Sequence, residues 1–314
     1  MARVVVTGGA GFVGSALCES LLRDGHEVVC FDLFVHGDAR IRPLRGSPAF
    51  HVQPGDVRRP GEVLAALRGA EGVFHLAADP EVRTAADDAV GHVTANAVAT
   101  LYVAEAARTH DLDEIAFASS STVYGEAATI PTPETAPLAP IGLYGAGKMA
   151  SEAILGGYCH AYGLRGASFR FANVVGPGLS HGVIYDFVAK LRANPAELEV
   201  LGDGTQRKSY VDLHDCVAAR PARMPATRGY EAWNLGTDDW TTVRDIAEIV
   251  CAEMGAKDAV LRYAGGPDGR GWKGDVKTMR LDSSKLQATG WRATKTSRQA
   301  VENAARSLVA SLRR

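Results

Sequence analysis

Val4-Val5-Val6-Thr7-Gly8-Gly9-Ala10-Gly11-Phe12-Val13-Gly14 is the stretch whose reading decides the fold. Arg3-Val4-Val5-Val6 is a β-branched run, too short for a helix and typical of a buried parallel strand. Gly8, Gly11 and Gly14 follow at the G-x-x-G-x-x-G spacing, and residues 12–24 then read as a helix with Phe12, Val13, Leu17, Leu21 and Leu22 on one apolar stripe. Glycines let such a turn close tightly and let its backbone approach a pyrophosphate. The helix that Phe12 and Val13 open offers that anion free N–H groups and the positive end of its dipole. Glu27-Val28-Val29-Cys30-Phe31-Asp32 reads as a second strand. Asp32 ends it about 20 residues on, where a carboxylate accepts from ribose hydroxyls and repels a 2′-phosphate. Gly8, Gly11, Phe12, Val13 and Asp32 are therefore candidate binders of a dinucleotide, with NAD favoured over NADP. A glycine turn without a ligand is the plainer reading. The strand before it, the helix after it and the acid at the next strand end weigh against that.

Outward from this unit the pattern repeats. Strand-like segments stand near 2–7, 27–32, 49–52, 72–76, 114–119 and 166–171, with helix-like segments between them, such as 88–109 and 145–162. Alternation of this kind implies an α/β fold, a Rossmann-like doubly wound parallel sheet. After residue 176 the alternation loosens around Gly176-Pro177-Gly178, Gly202-Asp203-Gly204 and Gly265-Gly266-Pro267-Asp268-Gly269. We expect an NAD-binding domain over 1–175, with 208–240 returning to it and strand 231–235 in its sheet. A smaller substrate-binding domain is expected over most of 176–314. The 314 residues suffice for one large core and an appended unit.

The formal charge of −2, with scattered aromatics, points to no nucleic-acid or membrane surface. The five cysteines include no C-x-x-C pair and read as free thiols of a reducing compartment, not as a disulfide frame or metal site. No histidine pattern has ligand spacing, so no metal is expected. The N-terminal apolar run breaks at Gly8-Gly9, too short for a signal peptide or a membrane span. A cytoplasmic protein is expected.

Tyr144-Gly145-Ala146-Gly147-Lys148 carries the chemistry. Tyrosine and lysine four residues apart share a helix face. A phenol, with an ordinary pKa of about 10, is a poor base at neutral pH. A nearby ammonium and the positive nicotinamide of NAD⁺ both favour the phenolate. Ser120 ends a strand, where its hydroxyl can meet the substrate oxygen that Tyr144 deprotonates. An exposed helix pair is the plain alternative, and the dinucleotide turn upstream argues against it.

With these residues the chain resembles the extended short-chain dehydrogenase/reductases, and among them the UDP-glucose/UDP-galactose 4-epimerases. The landmarks run in order through Thr7–Gly14, Gly55-Asp56-Val57, His75-Leu76-Ala77-Ala78, Asn96, Ser119–Gly125, Tyr144 with Lys148, Arg170-Phe171-Ala172-Asn173, Gly202–Arg207 and Gly274-Asp275-Val276. By that resemblance Asp56 and Val57 lie against adenine, Ala77 and Ala78 line the pyrophosphate side, and Asn96 supports the site from its helix. Lys148 also serves the nicotinamide ribose. Ser120, Ser121, Thr122 and Asn173 face the sugar. Arg207 matches the family's diphosphate-binding arginine. The second such arginine falls where this chain has Trp272, so Arg270 is the substitute. Asp275 holds a uridine ribose hydroxyl or orients Arg270, and Met279 stands at the sugar-pocket wall, where plain core is the other reading.

The resemblance implies an NAD-dependent nucleotide-sugar 4-epimerase that oxidises C4 transiently and reduces it on the opposite face, with a UDP-sugar as substrate and a homodimer as assembly. Ser121 and Thr122 stand where the 4,6-dehydratases carry Asp-Glu, and neither side chain replaces that acid or base. UDP-glucuronate 4-epimerases usually have Thr in place of Asn173 and an Arg within Leu179-Ser180-His181, but hydroxyls at 119–122 can still hold a carboxylate. The alternatives are therefore a UDP-glucuronate 4-epimerase, a nucleotide-sugar ketoreductase and, from another class, a non-catalytic NAD-binding protein.

Overall fold

The glycine turn joins β1 (Arg3–Thr7) to α1 (Phe12–Arg23). The chain continues through β2 (Glu27–Asp32), β3 (Phe50–Pro54), α2 (Pro60–Ala66), β4 (Gly72–His75), α3 (Ala89–Val93), α4 (Ala99–Thr109), β5 (Glu114–Ser120), α5 (Leu143–Tyr162) and β6 (Arg165–Phe171). This computed structural model describes residues 1–82, 87–219, 228–266, 268–272 and 274–312. The chain clusters into two units. The first holds Met1–Val123, Pro140–Arg170 and Ala219–Trp233, and the second holds Tyr124–Ala139, Phe171–Ala218 and Asn234–Arg314. Residues 124–139, which the sequence pattern left in the first domain, thus group with the second unit. Within the expected return at 208–240, residues 220–227 lie outside the described residues, as does Pro267 of the glycine-rich loop.

The first unit is built on a seven-stranded sheet in the order Gly229–Leu235, β6, β5, β4, β1, β2, β3. β1 pairs in parallel with both β2 and β4, with Val5 opposite Val29 on one side and Val73 on the other. The strands are apolar on both faces because helices cover both. Val5, Val29, Phe31, Val73, Ile115, Phe117 and Leu155 form one buried cluster. The strand order reverses between β1 and β4, and in such sheets that reversal opens a crevice beyond the strand ends. The helix expected over 88–109 is interrupted: Thr94–Val98 forms a π-helical turn between α3 and α4. One residue too many per turn rotates Asn96 relative to an unbroken helix.

The second unit comprises β7 (Asn173–Val175), α6 (Val183–Ala193), β8 (Glu197–Leu201), β9 (Arg207–Lys208), β10 (Tyr210–Asp212) and α7 (Leu213–Ala218). After the returning strand β11 (Gly229–Leu235) come β12 (Thr241–Thr242), α8 (Val243–Met254), β13 (Val260–Ala264), β14 (Thr278–Met279), α9 (Ser284–Gln287) and α10 (Ser297–Ser311). Capping boxes start α8 at Thr242/Asp245 and α10 at Thr296/Gln299. Each such cap contributes about 1 kcal/mol by satisfying N–H groups that the helix leaves over. β9 is central in a small sheet, antiparallel to β12 and parallel to β14. Its register sets Arg207 beside Thr242 and Thr278, and Lys208 beside Thr241 and Met279.

Candidate active site

The turn after β1 has the shape that a phosphate needs. Gly8 has φ of +70°, and a Cβ there would meet the Ala77 backbone nitrogen at 2.7 Å. A Cβ on Gly14 would lie 2.0 Å from the Gly8 carbonyl oxygen. Only glycine lets α1 seat so closely on the loop, with the loop in turn against the end of β4. Gly11 is the N-cap of α1 and offers no side-chain cap, and the first turn carries no acid. The N–H groups around Phe12 and Val13 are therefore left for an anion. Asp32, at the end of β2, accepts from the backbone of Ala10 at 3.0 Å and of Phe34 at 2.7 Å, which fixes its carboxylate beside the turn with acceptor capacity to spare.

The other cofactor candidates divide. Ala77 donates its N–H to the Thr7 hydroxyl at 3.2 Å and lies against Gly8 at the glycine turn. Asp56 is engaged by Arg58, whose guanidinium holds the carboxyl below its ordinary pKa. Val57 packs onto the core cluster. Asn96 is buried at 2% exposure. Its amide donates to the His92 and Asp79 carbonyls at 2.9 and 3.3 Å, while its Oδ1 is buried with no hydrogen-bond partner among the described residues. A buried acceptor of that kind costs about 1–3 kcal/mol unless a ligand or water meets it. These features fit NAD.

α5 begins at Leu143, so Tyr144 and Lys148 sit on successive turns of one face. Lys148 is 2% exposed, and its Nζ donates to the Ala118 carbonyl at 2.7 Å. Its ammonium lies 4.7 Å from the centre of the Phe117 ring and 5.7 Å from that of Tyr144. Burial pushes Lys148 down to about 7, with the charge of Glu152 opposing the fall. Burial pushes Tyr144 up to about 12, the Asp79 charge adds to the rise, and a hydrogen bond from Ser120 works against it. Ser120 Oγ accepts from the Thr122 backbone at 3.2 Å and from the Thr122 hydroxyl at 3.0 Å. With its lone pairs so used, its proton is directed to another oxygen, which suits donation to Tyr144 or a substrate. Ser121 is buried beside it. Deprotonating Tyr144 near neutral pH thus requires positive charge beyond what Lys148 alone supplies here.

In the second unit the strand register separates two adjacent cations. Neighbouring strand residues point to opposite faces, so Arg207 and Lys208 part company. Lys208 Nζ is 2.7 Å from Asp275 Oδ1 and 5.3 Å from the centre of the Trp272 ring. Asp275 is 2% exposed and accepts from the Gly271 N–H at 3.2 Å. Arg270 meets Glu126 at 2.6 Å, Asp268 at 2.7 Å and the Asp275 carbonyl. Lys208, Arg270 and Asp275 therefore form one cluster. Met279, buried in β14 and in register with Lys208, shares that face of the strand. Asn173 donates to the Ser209 carbonyl at 3.3 Å.

Arg207 stacks on Trp240 at 4.1 Å and has no carboxylate partner among the described residues. It lines a cavity of about 460 Å³ with Thr205, Arg244 and Lys277. Of the expected Arg207, Arg270 and Asp275, the last two stand together with Lys208, and Arg207 stands apart from them. The reason is strand alternation, and the Lys208–Asp275 spacing along the chain gave no sign of it.

Among the described residues no helix is long and apolar enough to cross a membrane, and no group of three or more His, Cys, Asp or Glu side chains could hold a metal ion. All five cysteines are buried and unpaired.

The NAD dependent epimerase/dehydratase family matches this chain over residues 4–236. A UDP-glucose 4-epimerase of Mycolicibacterium smegmatis is 33% identical over 303 residues, covering 92% of this chain and 93% of that one. The crystal structure of a UDP-galactose 4-epimerase is similar at a TM-score of 0.87 and 42% identity, with 99% of each chain covered. That of a UDP-glucuronic acid 4-epimerase from Bacillus cereus, in complex with UDP-glucuronic acid and NAD, is similar at 0.89 and 25%, again with 99% of each covered. The glycine turn, the Tyr144–Lys148 pair and these matches converge: the chain belongs to the NAD dependent epimerase/dehydratase family.

Proposed function

We propose that this protein is an NAD-dependent nucleotide-sugar 4-epimerase of the UDP-glucose/UDP-galactose type. The observation that carries the reading is Tyr144 one helical turn from a buried Lys148, whose ammonium lies 5.7 Å from the centre of the Tyr144 ring, with Ser120 lowering the phenol pKa against its burial. Tyr144 takes the proton of the sugar C4 hydroxyl and later returns it, and Ser120 holds that oxygen in line. Bound NAD supplies the acceptor and donor of the C4 hydride and a positive ring that favours the phenolate. Gly8, Gly11, Phe12, Val13, Ala77 and Asp32 would hold it, with Asn96 Oδ1 as a further acceptor. Lys148 keeps positive charge near the phenolate and would donate to the nicotinamide ribose. Lys208 and Arg270 serve the substrate diphosphate, and Asp275 orients both. Charge-assisted contacts of this kind anchor a nucleotide equally in every state of the cycle.

A hexuronate is the second reading, favoured by the hydroxyls of Ser120, Ser121 and Thr122 on one short turn. We place the enzyme in the cytoplasm, where five unpaired thiols are stable. We further propose a homodimer through α4 and α5, whose Leu101 and Tyr162 are exposed.

The test is incubation of the purified protein with UDP-glucose, UDP-galactose and UDP-glucuronate without added cofactor, followed by NMR of the products. Interconversion at C4 with NAD retained is expected. Turnover only with added reduced nicotinamide would make it a ketoreductase. Absence of conversion for every nucleotide sugar, with NAD bound, would favour a non-catalytic role.

A further inference from the structure

Tyr144, Lys148 and Glu152 follow at four-residue steps along α5, so a buried carboxylate continues the stripe that carries the reactive pair. Glu152 is 4% exposed, and Arg170 of β6 is 5% exposed. Arg170 grips both carboxylate oxygens, with Nη2 2.6 Å from Oε2 and Nε 3.0 Å from Oε1. Ser119 donates its hydroxyl to Glu152 Oε1 at 2.5 Å. Lys148 donates to the carbonyl of Ala118 at 2.7 Å. Two consecutive turns of α5 thereby clamp two consecutive residues of β5, immediately before Ser120.

Stability does not explain a buried ion pair in this place. Desolvation of both ions offsets most of their attraction, and an apolar pair of similar volume packs as well or better. The groups facing Lys148 are Tyr144 on its own helix, Phe117 and the Ala118 carbonyl of β5, and His75 of β4. Burial holds His75 near 3, so it is uncharged at neutral pH. Asp79 acts on Tyr144. Glu152 therefore supplies the negative charge that opposes the loss of the ammonium's proton on burial, while Arg170 makes an ionised Glu152 tolerable so deep in the unit.

We propose that Glu152, held by Arg170 and tied to Ser119, is a positioning residue that fixes the charge and place of Lys148 and the strand end bearing Ser120. This rests on the reading of Tyr144 as the base. Without the carboxylate, Lys148 releases its proton at lower pH, and Tyr144 loses the charge that favours its phenolate.

The test is a pH titration of tyrosinate absorbance on the NAD-bound protein, with Tyr144→Phe as the blank. Glu152→Gln keeps shape and an acceptor for Ser119 but removes the charge. The Tyr144 midpoint is expected to rise by about one pH unit, the lower end of what an opposite charge in contact does. Because Glu152→Gln leaves Arg170 buried beside a neutral amide, Glu152→Gln/Arg170→Met is titrated in parallel. That double variant is expected to fold, because no unpaired charge is left buried, and its midpoint is expected to move in the same direction. A folded variant with an unmoved midpoint overturns the positioning role alone. A parent protein in which Tyr144 shows no ionisation of its own overturns the base assignment and this inference with it.

Discussion

Lys148→Met is expected to stabilise the protein at neutral pH while abolishing its activity. Burial displaces the ammonium from its ordinary 10.5 to about 7. A pKa lowered on folding means that the unfolded chain binds more protons than the folded one between those two values. Stability must therefore rise with pH across that window, and the handicap is complete only below pH 7. At about 1.36 kcal/mol per unit, carrying Lys148 at pH 7 costs as much as about 4 kcal/mol.

Methionine fills a similar volume without a charge, but it cannot donate to the Ala118 carbonyl, which Lys148 Nζ meets at 2.7 Å. An orphaned buried carbonyl costs about 1–3 kcal/mol. The net gain at pH 7 is then about 1–3 kcal/mol. At pH 10 the protonation handicap has nearly gone and only the orphaned carbonyl remains, so the sign reverses. The assay is urea unfolding of nucleotide-free parent and variant at several pH values between 7 and 10. The difference between the two proteins isolates Lys148 from every other titrating group. A variant less stable than its parent by the same amount at every pH would refute the reasoning, since it would mean that the folded protein carries an ordinary ammonium at this place.

Tyr144→Phe should retain NAD and the fold but lose turnover by about two to four orders of magnitude, the usual contribution of a general acid–base; near-normal turnover would exclude Tyr144 as the base. Lys208→Ala should raise KM about ten- to a hundredfold with less effect on kcat, the loss of one charge-assisted contact of about 1.5–3 kcal/mol. Arg207→Ala, which removes only the stack on Trp240, should leave KM within about twofold; steady-state kinetics showing the reverse would return the diphosphate to Arg207. Asp32→Ala should bring NAD and NADP affinities together, because it removes a ribose acceptor and a charge that repels a 2′-phosphate; equal affinities in the unaltered protein would sink the role of Asp32.

Much of the fold is legible in the sequence. Strands β1, β2, β4, β5 and β6 stand where β-branched and apolar runs predicted them, because a parallel sheet covered on both faces keeps most strand positions apolar. The dinucleotide turn was legible for a similar reason. Backbone that must pack within van der Waals contact of other backbone admits glycine alone, so Gly8 and Gly14 record tertiary closeness in the local sequence. Tyr144 and Lys148 were legible as a pair because the helical repeat fixes their common face.

Other features depended on contacts between distant segments. The π-helical turn at Thr94–Val98 aims Asn96 inward, and its fit against Gly147 of α5, 3.1 Å from a Cβ there, has no periodicity to announce it. The helix–strand clamp of Glu152 joins residues 18 and 33 positions apart, on β6 and β5, that local pattern leaves unrelated. The Arg207–Lys208 dipeptide shows the limit most plainly. The resemblance singled out Arg207, but which of two adjacent cations meets Asp275 is settled by the register of β9 against β12 and β14. The sequence by itself determined the α/β class, the glycine turn and the Tyr144–Lys148 face, since each is a local repeat or a steric exclusion. The tertiary structure alone decided which buried charges meet, because opposite charges find each other through strand register and helix packing, and neither is written in the spacing of residues along one segment.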